Sequence, residues 1–287
     1  MKSLRSVLGA TVSLLLAGAI VATGGPVAAG AAAAGDPPRT QYHEFQANCE
    51  VSHRAMDDPI VAFGRPGASH DHTFIGNKST NAFSTLASLE LAGTTCTDAA
   101  DKSAYWIPTL FDHGVAVRPT TVIVYYKSGV IDYRTVRPFP RGMQLLFGDA
   151  MNQDPARSTT SWSCGRSTSR VLPTSCPPGT KLIARLIAPS CWDGRQLRTA
   201  DHRSHVVYPR SGRCPATHPV AIPMLEYKVP YSVRGDHLQL RLASGGGASF
   251  HADFVAAWEP GRQRRLVTHC INQGRQCDAK GFDQFKP

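Results

Sequence analysis

Phe250-His251-Ala252-Asp253-Phe254 is the stretch on which the reading of the fold turns. In an extended chain successive side chains point to opposite faces. Phe250 and Phe254 therefore share one face, and His251 and Asp253 share the other. The two phenylalanines need a core to cover them. A strand with one apolar and one polar face belongs to an antiparallel sheet covered on one side.

The neighbouring sequence repeats the pattern. His237 to Leu242 alternates, with Leu238, Leu240 and Leu242 on one face. Thr120 to Tyr126 is β-branched and aromatic; Lys127-Ser128-Gly129 then turns the chain, and Val130 to Tyr133 is expected to return as the second arm of a hairpin. Lys181 to Ile187 is a further strand candidate. Ser84 to Leu91 is the best short helix, with Leu86 and Leu89 three apart. The 25 Gly and 21 Pro discourage long helices. The predicted fold is mainly β: a single-domain antiparallel β-sandwich, jelly-roll-like, with long loops, a few short helices and four disulfides.

With 42% apolar and 18% charged residues, the 287-residue chain can build a core, which excludes intrinsic disorder. Lys2 and Arg5 precede an apolar run from Val7 to Ala22, followed by small residues, the build of a secretory signal over residues 1–35. Cleavage is expected between Gly30 and Asp36, with a flexible lead over 36–44 and one domain over 45–287. No transmembrane segment is expected in the mature chain, so the product should be secreted and extracellular. Removing the signal leaves 29 basic against 21 acidic residues, a net +8. That charge is spread rather than blocked, with Arg262-Gln263-Arg264-Arg265 the one dense cluster. It suits an extracellular glycan or acidic wall polymer better than nucleic acid.

All eight cysteines, Cys49, Cys96, Cys164, Cys176, Cys191, Cys214, Cys270 and Cys277, follow the signal. An even count in an exported chain reads as four disulfides; eight cysteines allow 105 pairings that the sequence does not decide, and pairing in sequence order, which makes each bridge bracket one loop, is the expectation taken. No Cys-x-x-Cys occurs, which sets a cysteine zinc site aside.

Histidine is the unusual feature: there are eleven, several in polar clusters beside Gly, Pro and Asp. Ser69-His70-Asp71-His72 follows a Gly-Arg-Pro-Gly loop, and a His-x-His pair entering a strand puts both imidazoles on one face. That spacing suits two ligands of one metal, or an acid and a base flanking one bond. Asp201-His202-Arg203-Ser204-His205 and Cys214-Pro215-Ala216-Thr217-His218-Pro219 are further clusters. Hydrogen-bonded histidines that only tie loops together are the competing reading. No Gly-x-Ser-x-Gly elbow, Walker loop or His-Glu-x-x-His is present.

Six ordered motifs carry a resemblance: Ser69 to Gly76, Tyr105 to Leu110, Cys191 to Gly194, Asp201 to Pro209, Cys214 to Val220, and Phe250 to Phe254. Together they resemble the secreted domain of unknown function numbered nineteen-ninety-six, found in fungi and actinobacteria. Fungal members often carry small cysteine-rich modules of a carbohydrate-binding type, so the resemblance implies a cell-wall or polysaccharide setting. It also marks His70, His72, His205, His218 and His251 as motif histidines, and Asp58, Asp193, Asp201 and Asp253 as motif acids.

Two functions follow as expectations. The first is an enzyme acting on an extracellular or cell-wall polysaccharide, a hydrolase or lyase. His251, Asp253, His70, His72 and His205 would be its catalytic residues, and His218, Asp201, Trp192 and Trp106 would contact the substrate, the tryptophans by stacking on sugar rings; a place in the core is the competing reading of each tryptophan. A divalent metal held by His70, His72 and His205 fits this reading. The second is a non-catalytic carbohydrate- or cell-wall-binding protein, with or without a bound metal. Paired glycosidase-type acids are missing from the motifs, since Glu is absent from all of them.

Overall fold

The alternating stretch forms a strand, His251–Val255, in the interior of one of the two main antiparallel sheets. The structure is a computed structural model describing residues 42–285. The expected signal sequence, its cleavage site and most of the lead fall outside the described residues. The strands of the two main sheets are β1 (Glu44–Cys49), β2 (Val51–Ala55), β3 (His72–Gly76), β4 (Ala104–Pro108), β5 (Val122–Lys127), β6 (Gln144–Gly148), β7 (Ser161–Cys164), β8 (Ser167–Ser169), β9 (Leu182–Ile187), β10 (Met224–Tyr231) and β11 (His251–Val255). The six-stranded sheet has the order β1-β5-β10-β9-β7-β8, and the five-stranded sheet β2-β3-β4-β11-β6.

The core lies between these sheets. Val124, Tyr126 and Tyr227 of the first meet Tyr105, Phe147 and Phe254 of the second, with ring centroids 5.2 Å apart for Phe147–Tyr227 and 6.0 Å for Tyr105–Tyr227. Phe250 and Phe254 are buried in this core, as the alternation requires. The outer face of the five-stranded sheet carries a second, smaller cluster in which Phe74 and Trp106 pack with Ile60 and Leu89. Helix α1 (Leu86–Leu91) supplies Leu89, and the Thr85 hydroxyl caps it by accepting from the Ser88 N–H.

The expected hairpin after β5 does not form. β5 has β1 on one edge and β10 on the other, so no edge remains for Val130 to Tyr133. Gly129, at φ +63°, turns the chain out of the sheet, and Tyr133–Thr135 is a turn of 3₁₀ helix. The Leu238 to Leu242 stretch keeps its facing, but only Leu240–Leu242 is a strand, paired with Leu110–Asp112. The eight cysteines pair in sequence order: Cys49–Cys96, Cys164–Cys176, Cys191–Cys214 and Cys270–Cys277.

A polar chain crosses one end of the core. Tyr105 Oη donates to Asp101 at 2.5 Å and lies 2.6 Å from Tyr126 Oη, which accepts from the Trp258 indole at 2.9 Å. Burial pushes the Asp101 carboxyl up to about 7. The unfolded chain loses this proton near pH 4 and the folded chain near pH 7. The native state therefore binds more protons in that interval, and stability falls as pH rises through it, by roughly 1.4 kcal/mol per pH unit, then levels off. Asp101→Asn keeps the shape without the proton. Its unfolding free energy in urea should gain a few kcal/mol on the native protein's between about pH 4 and 7; parallel pH profiles would remove this account of Asp101.

Candidate metal centre

Strand register brings three histidines together. His72 opens β3 opposite Pro108 of β4, and His251 opens β11 opposite Gly148 of β6. β3 and β11 both flank β4, so His72 and His251 stand at the same level on the outer face, two strand spacings apart. His70, two residues before His72, adds a third ring. His70 Nε2 lies 3.2 Å from His251 Nε2, and His72 Nε2 lies 3.4 Å from the same atom. All three histidines offer ligand nitrogens within 4.8 Å of one another.

Backbone carbonyls set the tautomers. His72 Nδ1 donates to Asp57 O at 2.9 Å, and His251 Nδ1 donates to Ser249 O at 2.9 Å. A carbonyl can only accept, so Nδ1 carries the proton in both rings and the neutral Nε2 atoms present lone pairs to each other. Burial lowers all three pKa values: His72 falls well below the imidazole range, with His70 and His251 adding to the effect, and His251 falls to about 4. At neutral pH the imidazoles are thus unprotonated, the form that ligates a metal.

Asp253 lies one step along the same face, in the row formed by Phe74, Trp106 and Leu146. It is fully buried, and among the described residues neither carboxylate oxygen has a hydrogen-bond partner. Burial, and then the nearby Asp58 carboxylate, push its pKa well above the usual range. Asp58 accepts from Ile60 N and Val61 N at 2.8 and 2.9 Å, so it is held by its loop. Oxygens of Asp58 and Asp253 and a His72 nitrogen also lie within 4.8 Å of one another.

The other expected site residues stand elsewhere. His205 is buried and donates from Nε2 to Gln144 O at 2.7 Å. Gln144 is four residues along β6 from Gly148, about 13 Å at strand rise. His251 rather than His205 completes the set begun by His70 and His72. His218 donates to Ser204 O at 2.9 Å, and Asp201 accepts from the Arg203 and Ser204 N–H groups, so both brace that loop. Trp192 packs on the core and donates to Gln196 O. Trp106 cannot stack on a sugar: it has no exposed surface and lies in the cluster beneath α1.

Sequence reasoning missed contributors of three kinds. The Asp57 and Ser249 carbonyls act through the backbone, which no side-chain motif reports. Arg203 sits inside the Asp201 to His205 motif and donates to Gly148 O at 2.7 Å, holding the edge of β6 beside His251. Gly148, at φ +79°, is the third. A Cβ there would lie 2.5 Å from Phe250 O and 2.7 Å from His251 Cα, both backbone atoms. Gly148→Ala should displace β11 at His251, costing roughly 1–3 kcal/mol of stability in urea unfolding; a folded variant with native stability would contradict this.

The fold and centre together define a disulfide-linked antiparallel β-sandwich carrying a three-histidine cluster on the outer face of one sheet. The chain belongs to the family described as Domain of unknown function (DUF1996), which matches residues 58–258 and so includes every residue of the cluster. No curated protein and no solved structure matches the chain.

Proposed function

We propose that this protein is an exported metalloenzyme, a hydrolase or lyase acting on extracellular polysaccharide, with a divalent metal held by His70, His72 and His251. The observation that carries the reading is the set of Nε2 separations, 3.2 and 3.4 Å, between nitrogens whose tautomers forbid His72 and His251 from hydrogen bonding to each other. Tetrahedral zinc with Zn–N bonds of 2.0–2.1 Å has nitrogens about 3.3–3.4 Å apart along each edge. Three imidazoles suit zinc, and three protein ligands leave a fourth position for water, as in catalytic sites.

When bound, the metal would supply an acidified water and a Lewis acid. The protein's own part is to orient two ligands through the Asp57 and Ser249 carbonyls and to keep all three neutral. Asp253 provides the carboxyl group for proton transfer beside His72. His70, half-buried, connects the otherwise buried cluster to the surface. Export is supported by the four disulfides, and among the described residues no helix is long and apolar enough to cross a membrane. The polysaccharide setting rests on the family resemblance.

A second reading, binding without turnover, is favoured by the burial of His72 and His251, which resembles a closed structural site. Zinc-loaded protein incubated with wall polysaccharides separates the two. New reducing ends, with or without an unsaturated product, support the enzyme, whereas retention without product supports the binder. Failure to take up one equivalent of zinc overturns both metal readings.

A further inference from the structure

Two hollows lie in series at the edge of the five-stranded sheet, where Gly148 pairs with His251. The first, about 320 Å³, runs along the free edge of β6 and is lined by Gly148, Asp149, Arg157 and Arg203 among others. The second, about 700 Å³, continues over β7 and β8 and is lined by hydroxyls, among them Ser161, Thr168 and Ser169, with Arg170. Thr159 and Tyr208 line both, so the hollows join at these residues. Single small-molecule pockets span roughly 300–1,000 Å³, and two in series suit a chain of rings better than one sugar.

The groove is cationic. Among the described residues, Arg157, Arg170 and Arg203 have no carboxylate within ion-pair distance. Arg170 donates to Ala156 O, and Arg203 to the Leu146 and Gly148 carbonyls, which positions the guanidinium groups without neutralising them. Asp149 is the one acid in the lining. At the junction Tyr208 is 46% exposed, and its hydroxyl is tied to Ile187 O at 2.8 Å, which fixes a ring that solvent can reach. A fixed phenol ring offers a stacking surface to the apolar face of a pyranose, and guanidinium forks match carboxylates.

We infer that this groove binds a linear polyuronate, with its carboxylates on Arg157, Arg170 and Arg203 and a sugar ring on Tyr208, leading the chain toward the three-histidine centre. The inference deepens the polysaccharide reading above and rests on it, but it concerns binding, which is measured without turnover. A poly(glycerol phosphate) chain offers the same negative charge without a pyranose face, so Tyr208 favours the uronate.

The test is affinity electrophoresis of the zinc-loaded protein in gels containing polygalacturonate, its methyl ester, a neutral glucan or poly(glycerol phosphate). Polygalacturonate should retard the native protein, and the ester and the glucan should not. An Arg157→Ala/Arg170→Ala protein should bind at least tenfold more weakly, and Tyr208→Ala should do so while Tyr208→Phe stays nearer native. Arg264→Ala/Arg265→Ala removes the same charge outside this groove and should leave binding unchanged. His72→Ala should still bind, which separates the groove from the failure of the metal reading. Equal retardation by the glucan or by poly(glycerol phosphate), or equal losses in the two double-arginine variants, overturns the inference.

Discussion

A His72→Ala protein is expected to take up no stoichiometric zinc, while the native chain binds one equivalent. His72 is the most buried of the three histidines, and its tautomer is set by the Asp57 carbonyl. Loss of an outer partner of a metal ligand costs about 10–100-fold in affinity, and loss of a ligand itself should cost more. The readout is thermal unfolding with and without zinc. Zinc at 100 times its dissociation constant stabilises a folded protein by about 2.7 kcal/mol, roughly 5–10 °C in a domain of this size. His72→Ala and His251→Ala should show no such rise, and His205→Ala should show the full one, because His205 lies at the other end of β6. A variant of His72 that keeps the native rise would falsify the centre.

Asp253→Val should make the protein more stable and inactive together. The carboxyl is buried with both oxygens unpartnered, and an unsatisfied buried polar group costs about 1–3 kcal/mol. Valine nearly fills the space, suits a strand and removes that penalty, so the urea midpoint should rise by a corresponding amount. Turnover should fall about 10²–10⁴-fold, the usual contribution of a positioned acid or base. Asp253→Asn controls for shape: the same loss of turnover is expected without the gain in stability. Activity surviving in both would leave Asp253 a structural residue, and a drop in stability in the valine protein would mean that its oxygens are satisfied after all.

The burial of Asp253 also explains why its role was only half legible in sequence. Alternation placed it beside His251 and opposite Phe250 and Phe254, and the structure agrees. Nothing local showed that the outer face was itself covered. That cover comes from the loop after β2 and from α1, whose Ile60 and Leu89 pack on Trp106 and Phe74. For the same reason Trp106, beside polar motifs in sequence and so a candidate to stack on a sugar as well as a core aromatic, lies in an interior.

Pattern within a strand depends on backbone geometry of period two, so the sequence by itself determined the mainly β class and the facing of Phe250 against His251, and the even cysteine count gave four disulfides without their pairing. Which strands become neighbours depends on long-range pairing that no local pattern encodes. Tertiary structure alone decided that β3 and β11 flank β4, which brought His251 rather than His205 to the His70–His72 pair across 179 residues of chain. It also decided that β5 has neighbours on both edges, which left Val130 to Tyr133 no place to pair.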